Sequence, residues 1–143
     1  MLGLRVRLTL AALLIAWPAF AGDVAVDKAW FRAMPAHLPA AGYFTIHNAG
    51  KNEIALTGAS STACGMLMLH KSSTGSGMAS MSDVDRVAVP AGGTLSFAPN
   101  GFHLMCMDPT PALKHGATVP VTLQFANGRT VTAGFLVKNA RGQ

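Results

Sequence analysis

Charged side chains are scarce in this sequence, and carboxylates are the scarcest of them. Charged residues make up 12% of the 143 residues, and only six residues are acidic. No two carboxylates are spaced to act as a general acid and base, and neither a nucleophile elbow nor a phosphate-binding loop is present. The Lys and Arg residues are scattered, whereas nucleic-acid binding usually shows a dense basic patch. We therefore expect neither an enzyme nor a nucleic-acid-binding protein.

Long hydrophobic runs are missing except at the N-terminus. Arg5 and Arg7 precede an apolar run over residues 8–20, and Ala19-Phe20-Ala21 fits a small-x-small cleavage site. The run of about 13 residues is shorter than the roughly 20 that span a bilayer. We predict a cleaved signal peptide over residues 1–21, export to the periplasm, and a mature domain over residues 22–143 without a membrane span. An uncleaved anchor helix is the alternative, which Pro18 disfavours.

Signal cleavage also changes the charge balance. Without the two arginines of the signal peptide, nine Lys and Arg face six acids, so the net charge falls from +5 to +3. This mild balance gives no indication of a polyanionic partner. The remaining length suits one domain of ordinary size.

Cysteine is rare as well. Cys64 and Cys106 are the two in the chain, and no C-x-x-C zinc motif is present. Disulfides persist in exported proteins, so a disulfide between them is the expected state. Regular alternation would place Cys64 on the face of Met66 and Cys106 on the face opposite His103, so pairing calls for a break, which Gly65 can supply. The alternative is that one cysteine binds a metal.

No convincing helical period follows the signal segment. Short apolar segments separated by turn residues predict strands instead. This pattern favours an all-β fold, an antiparallel β-sandwich or barrel of Greek-key type. The predicted strands cover residues 24–33, 42–47, 53–58, 64–70, 85–89, 94–97, 102–107, 119–125 and 130–137.

Two of these strands carry sulfur and imidazole on one face. In the strand over 102–107, alternation puts His103, Met105 and Met107 on the face opposite Leu104. In the strand over 64–70, it puts Met66, Met68 and His70 on the face opposite the two leucines. Both strands therefore combine an apolar face for a core with a face of soft ligands.

Three of these donors, together with Met81, which follows a Ser/Gly-rich connection between the two strands, suit copper(I). Copper(I) prefers thioether and thiolate sulfur and also accepts imidazole. Hard cations want several oxygen ligands, and zinc is usually held by Cys, His and carboxylate sets, neither of which this region offers. We predict that one copper(I) ion is bound by His70, Met81, His103 and Met105.

The other Met and His residues have simpler interpretations. Met is a common core filler, so packing roles are expected for Met66, Met68 and Met107. Met78 lies in the Ser/Gly-rich segment over 71–80, where it is a candidate auxiliary ligand. Surface positions are expected for the histidines at strand ends and in loops, which are His37, His47 and His115.

The spacing of the four predicted ligands resembles that of the periplasmic copper(I) chaperones of the PCuAC family. Ten residues separate His70 from Met81, twenty-one separate Met81 from His103, and one separates His103 from Met105. Many members have Met directly after the first His, where this chain has Lys71. Further similar segments are Ala29-Trp30 with Arg32, Gly58-Ala59-Ser60-Ser61, Val89-Pro90-Ala91-Gly92-Gly93, Gly101-Phe102-His103-Leu104-Met105 and Val119-Pro120-Val121-Thr122-Leu123.

The resemblance implies a cupredoxin-like β-sandwich that carries copper in the periplasm. It also implies delivery to the dinuclear copper site of cytochrome c oxidase, with a Sco-type thiol assembly protein as co-worker. For release, our hypothesis is ligand exchange: Met81 follows a Ser/Gly-rich connection, so it can detach at low cost.

Two alternatives remain open at this point. A blue-copper electron carrier uses two His, one Cys and an axial Met, and His70, His103, Cys106 and Met105 contain that set. Against it, Cys106 is expected to face away from His103, and no Met follows His115. The second alternative is a structural or adhesive β-domain without a metal, which copper(I) would not stabilise.

Overall fold

The all-β prediction is confirmed. The structure, a computed structural model, describes residues 19–73 and 80–143. Within these residues it has one 3₁₀ helix, Pro35–His37, and no helix that is long and apolar enough to cross a membrane. The strands are β1 (Ala19–Ala21), β2 (Val24–Arg32), β3 (Ala40–Asn48), β4 (Ile54–Ser60), β5 (Cys64–Ser73), β6 (Ser80–Asp83), β7 (Val87–Val89), β8 (Thr94–Phe97), β9 (Phe102–Pro109), β10 (Thr118–Phe125) and β11 (Thr130–Lys138).

Seven strands form one sheet that closes on itself. Their order is β2–β11–β10–β4–β5–β9–β3, and β3 pairs again with β2. The remaining described strands attach to this ring: β1 to β2, β6 to β5, β7 to β4 and β8 to β3. Closure pairs each strand of the ring on both sides, which protects an all-β domain against edge-to-edge association.

One pairing differs from the antiparallel prediction. β11 runs parallel to β2, with Leu136 opposite Trp30 and Lys138 opposite Arg32. The other pairs of the ring are antiparallel. The expectation of an entirely antiparallel sheet is therefore wrong for the pairing of β11 with β2. The Greek-key, cupredoxin-like description stays a prediction.

The ring encloses the hydrophobic core. Alternate residues of β10 and β11 point inward and are buried, because successive side chains of a strand leave opposite faces. Among the described residues, the buried polar side chains are Asn48 and His103. The largest fully buried side chains are Phe31, Phe44, Phe135, Ile46, Leu56, Leu104 and Leu123, with five valines.

The predicted signal peptide lies mostly outside the described residues. Its last three residues form β1, which pairs with β2 over Val24–Val26. The ring itself begins at Val24, so none of its strands includes residues 1–21. Cleavage after Ala21 stays a prediction.

The segment predicted as a flexible connection over 71–80 is partly strand. β5 continues to Ser73, and β6 begins at Ser80 and pairs with it. Met81 therefore lies in a strand, while residues 74–79 of the predicted connection lie outside the described residues. Met78 lies outside the described residues.

Candidate metal centre

The central relationship of the site is the register of β5 and β9. Three pairs face each other directly: His70 with His103, Met68 with Met105, and Met66 with Met107. Directly opposed side chains in an antiparallel pair have Cβ atoms about 4.5–5.5 Å apart. Two separate stretches of sequence thus place six soft donor groups on adjoining strands.

These donors all lie on the outer face of the ring. Leu67 and Leu69 of β5, and Leu104 and Cys106 of β9, are buried in the core. The residues between them are the predicted ligands and their Met neighbours, so alternation directs those outward. This is the division of faces that the sequence predicts.

His103 is the most enclosed donor, with 4% of its surface exposed. Its Nδ1 is 3.2 Å from the carbonyl oxygen of Gly101, which can only accept, so Nδ1–H is the donor. This bond fixes the ring and leaves the Nε2 lone pair for a metal. Burial lowers the pKa of His103 below its ordinary value, and the electrostatic interaction with His70 lowers it further, while the hydrogen bond to Gly101 opposes both. The neutral, metal-binding form is thereby favoured.

His70 faces His103 edge-on. The ring centroids are 5.6 Å apart and the planes meet at 78°. Nε2 of His70 is 2.8 Å from Oδ1 of Asp83 on β6, which is an ion-pair distance, but the contact lacks hydrogen-bond geometry. Both ring nitrogens are enclosed and without a hydrogen-bond partner among the described residues. Enclosed polar atoms of this kind fit a ligand that the protein binds at times.

Met81 reaches the same face from β6. It lies opposite Ser72, two residues beyond His70 on β5, so it shares the outward side. Its side chain is 61% exposed. A thioether at the margin of the sheet can therefore meet an ion from solvent.

Three of the four predicted ligands line one open cleft. Met81, His103 and Met105 border a volume of about 290 Å³. Ala41 of β3, opposite Met105, gives the cleft a wall without a bulky side chain. His70 is not in the cleft lining; it lies beside the cleft, against His103.

The cleft also contains a thioether that the sequence analysis missed. Met34 follows β2, is 41% exposed and lines the cleft with Met81 and Met105. It stands alone between Ala33 and Pro35, outside any alternating pattern. Only its closeness in sequence to the Trp30 and Arg32 segment could have indicated it.

The donor set is dominated by sulfur and imidazole. Within residues 19–73 and 80–143, His, Cys, Asp and Glu form no group of three or more that could hold a metal. Sites for zinc or hard cations are usually built from such groups. A site completed by Met is what the chemistry of copper(I) favours.

Met66, Met68 and Met107 do not fill the core. Met66 is 58% exposed, and the other two are partly buried on the outer face. The packing role expected for Met66 is therefore wrong, because the interior is occupied by the residues between these methionines.

The remaining histidines lie away from the cleft. His47 on β3 is 3.1 Å from both Thr94 and Asp27, through its two ring nitrogens. His37 and His115 are exposed in the segments that follow β2 and β9. None of the three lines the cleft.

A disulfide joins Cys64 to Cys106, with Cα atoms 5.4 Å apart. Both cysteines are buried. Gly65 and Met66 are exposed in succession between buried Cys64 and Leu67, so alternation is interrupted at Gly65. With its sulfur in this bond and on the core side, Cys106 offers no thiolate to His103, and the blue-copper alternative gains no support.

A closed β sheet with soft ligands on its outer face defines a candidate soft-metal-binding domain. The model of the LpqE-like family, described as "Putative lipoprotein LpqE-like", matches residues 24–137. A protein of Leifsonia xyli subsp. xyli (strain CTCB07), named "Putative lipoprotein Lxx21020", is 35% identical over 123 residues, which are 85% of this chain and 74% of that protein.

Solved structures agree with this match. Apo-DR1885 from Deinococcus radiodurans is 32% identical, with a TM-score of 0.63 over 97% of this chain and 94% of that one. Its CuI form has a TM-score of 0.64 at the same identity, over 86% and 80%. The copper-bound PCuAC domain of PmoF2 shares the fold, with a TM-score of 0.70 at 21% identity over 85% and 97%. The chain belongs to the LpqE-like family, which is the PCuAC family that its sequence resembles.

Proposed function

We propose that this chain is a periplasmic copper(I) chaperone. It binds one copper(I) ion through His70, Met81, His103 and Met105 and acts as a carrier, not as an enzyme. The observation that carries the proposal is the register of β5 and β9, which sets His70 opposite His103 and places Met105 beside them.

The donor set suits the charge and softness of the cargo. Two thioethers and two neutral imidazoles bind a singly charged ion without a carboxylate, and metal binding requires neutral imidazole. Burial already favours the neutral form of His103, and its hydrogen bond to Gly101 directs Nε2 for coordination. These two features favour His103 as a ligand.

The comparisons support copper as the cargo and the cell envelope as the place. The 32% identical protein DR1885 has a solved CuI form, and the relative from Leifsonia xyli is named as a lipoprotein. Together with the predicted signal peptide, the lipoprotein name favours export to the cell envelope, and the compartment we propose is the periplasm. A cupredoxin-like Greek-key arrangement is the finer fold description that we propose for the closed sheet.

Release proceeds by ligand exchange in our proposal. Met81 lies on β6, which among the described strands pairs with β5 alone, so detaching it disturbs no ring pairing. Met34 offers a further thioether in the cleft to hold the ion as Met81 leaves. The acceptor we propose is the dinuclear copper site of cytochrome c oxidase, with a Sco-type thiol protein assisting.

Binding is tested by copper(I) titration of the chain from Gly22, in competition with a chromophoric chelator under anaerobic conditions. The proposal predicts one tight equivalent, which the double variant His103→Ala, Met105→Ala loses. His47→Ala is the matched control, because this histidine lies outside the cleft. Equal binding by the parent and the double variant would reject the site.

Delivery is tested separately. The copper(I)-loaded chain is mixed with the metal-free soluble domain of the oxidase copper subunit, with and without a reduced Sco-type protein, and copper is measured in each separated protein. We expect copper on the oxidase domain. Copper that stays on the chain under both conditions would reject delivery while leaving binding intact.

A further inference from the structure

Three methionines outside the proposed site form a group on the same outer face. We call Met66, Met68 and Met107 the thioether patch. Met66 lies directly opposite Met107, and Met68 lies diagonally from Met107 and directly opposite Met105. The patch thus continues the row of soft donors along β5 and β9, away from the two histidines.

The spacing allows three sulfur atoms to meet at one ion. Directly opposed Cβ atoms are about 4.5–5.5 Å apart, and diagonal ones about 7–8 Å or somewhat less. Met is unbranched with three rotatable bonds, so its sulfur can move several ångströms from Cβ. The sulfurs of Met66, Met68 and Met107 can therefore converge above the strand pair without any change in the backbone.

Packing in the core does not account for these side chains, which lie on the outer face. The core below the patch is filled by Leu67, Leu69, Leu104 and Cys106, which are buried. Met66 leaves 58% of its surface exposed, so most of its apolar surface gains nothing from burial. Three thioethers gathered at the surface are instead the ligand type that selects copper(I).

We propose that the thioether patch is a second copper(I) site, weaker than the first. It rests on the proposed function in one respect, that copper(I) is the cargo. Met105 belongs to the first site and lies opposite Met68 of the patch, so it borders both. An ion captured at exposed Met66 can pass to the His70–His103 pair by exchanging one thioether at a time, while it remains copper(I) throughout.

The test is a second equivalent of copper(I), added anaerobically to the chain from Gly22 that already holds one. Methyl NMR of labelled methionines follows each thioether. The first equivalent is expected to shift the Met81 and Met105 methyls, and the second those of Met66, Met68 and Met107, with an affinity at least about tenfold lower. The triple variant Met66→Leu, Met68→Leu, Met107→Leu keeps the first equivalent and loses the second.

Controls separate the patch from a nonspecific thioether. Leu136→Met places a lone thioether at an exposed position of β11, where it should not bind a third equivalent. If the triple variant does not fold, Met66→Leu alone, at an exposed position, should weaken the second equivalent at least about tenfold. The second site would be rejected if the parent chain binds only one equivalent of copper(I), or if the variants still bind the second equivalent. Absence of the first equivalent would instead reject the proposed function.

Discussion

His70 and His103 lie directly opposite each other on β5 and β9, with ring centroids 5.6 Å apart and planes at 78°. This one pairing brings together residues that are 33 positions apart in the sequence. A slip of one residue between the strands would turn every donor of one strand to the core face. The site therefore depends on strand register as much as on the identity of its ligands.

Met81 is expected to control the release of copper(I), although its side chain is largely exposed. Met81→Ala should lower copper(I) affinity about tenfold to hundredfold, chiefly by faster dissociation, because β6 holds this ligand at the margin of the ring. Met105→Ala, on a ring strand, should cost more. Competition titrations and stopped-flow release measure both effects. Unchanged affinity and unchanged transfer in Met81→Ala would remove this residue from the site.

Ala41 tests the cleft without removing a donor. It lies between Met105 and Arg32 in register and lines the cleft. Ala41→Leu should fill the space where the ion enters and lower copper(I) affinity at least about tenfold. Ala88→Leu, at an exposed position of β7, is the matched control. Equal affinity in the two variants would show that the ion does not use this cleft.

His103 predicts how the metal-free protein responds to acid. Burial lowers its pKa below the ordinary value of about 6.5, so between these two pKa values the unfolded chain binds more protons than the folded chain. The contribution of His103 to the free energy of unfolding is complete above about pH 6.5 and is lost as the pH falls through the folded pKa. Thermal melts from about pH 7.5 to 5 should show a steeper loss in the parent than in His103→Gln. An equal loss of stability with falling pH in the parent and in His103→Gln would contradict the lowered pKa of His103.

The disulfide is expected to hold the two ligand strands together. It closes a loop with a sequence separation of 42 between Cys64 and Cys106, on β5 and β9. Chain-entropy arguments give such a loop about 4 kcal/mol of stabilisation. The double variant Cys64→Ala, Cys106→Ala should therefore unfold at lower denaturant concentration yet still bind copper(I) when folded. Loss of binding in the folded variant would show that a cysteine takes part in the site.

Alternation made much of the site predictable. In the segments around Met68 and Met105, the alternation of side chains along a strand is enough to distinguish the donor residues from the core residues. The structure has the same two faces. The break at Gly65 followed from the need to bring Cys64 to the core side. Local rules of this kind act within one strand, so one sequence is enough to apply them.

Other features depend on contacts that no local pattern encodes. The closure of the sheet joins β11 to β2 in parallel, across more than a hundred residues of chain. Met34, which follows β2, enters the cleft because β3 pairs with both β2 and β9, and Met81 is held beside β5 by its pairing with Ser72. These positions follow from the tertiary fold, which is why the sequence alone missed Met34 and did not predict the strand that carries Met81.

X-ray absorption at the copper edge tests the central claim most directly. The chain from Gly22, loaded with one equivalent of copper(I), is measured beside the variants His70→Ala and Met105→Ala. We predict two nitrogen and two sulfur neighbours in the parent, one nitrogen fewer in the first variant and one sulfur fewer in the second. A parent shell made of nitrogen and oxygen only, or a shell that neither variant changes, would contradict a copper(I) site built on the pairing of β5 with β9.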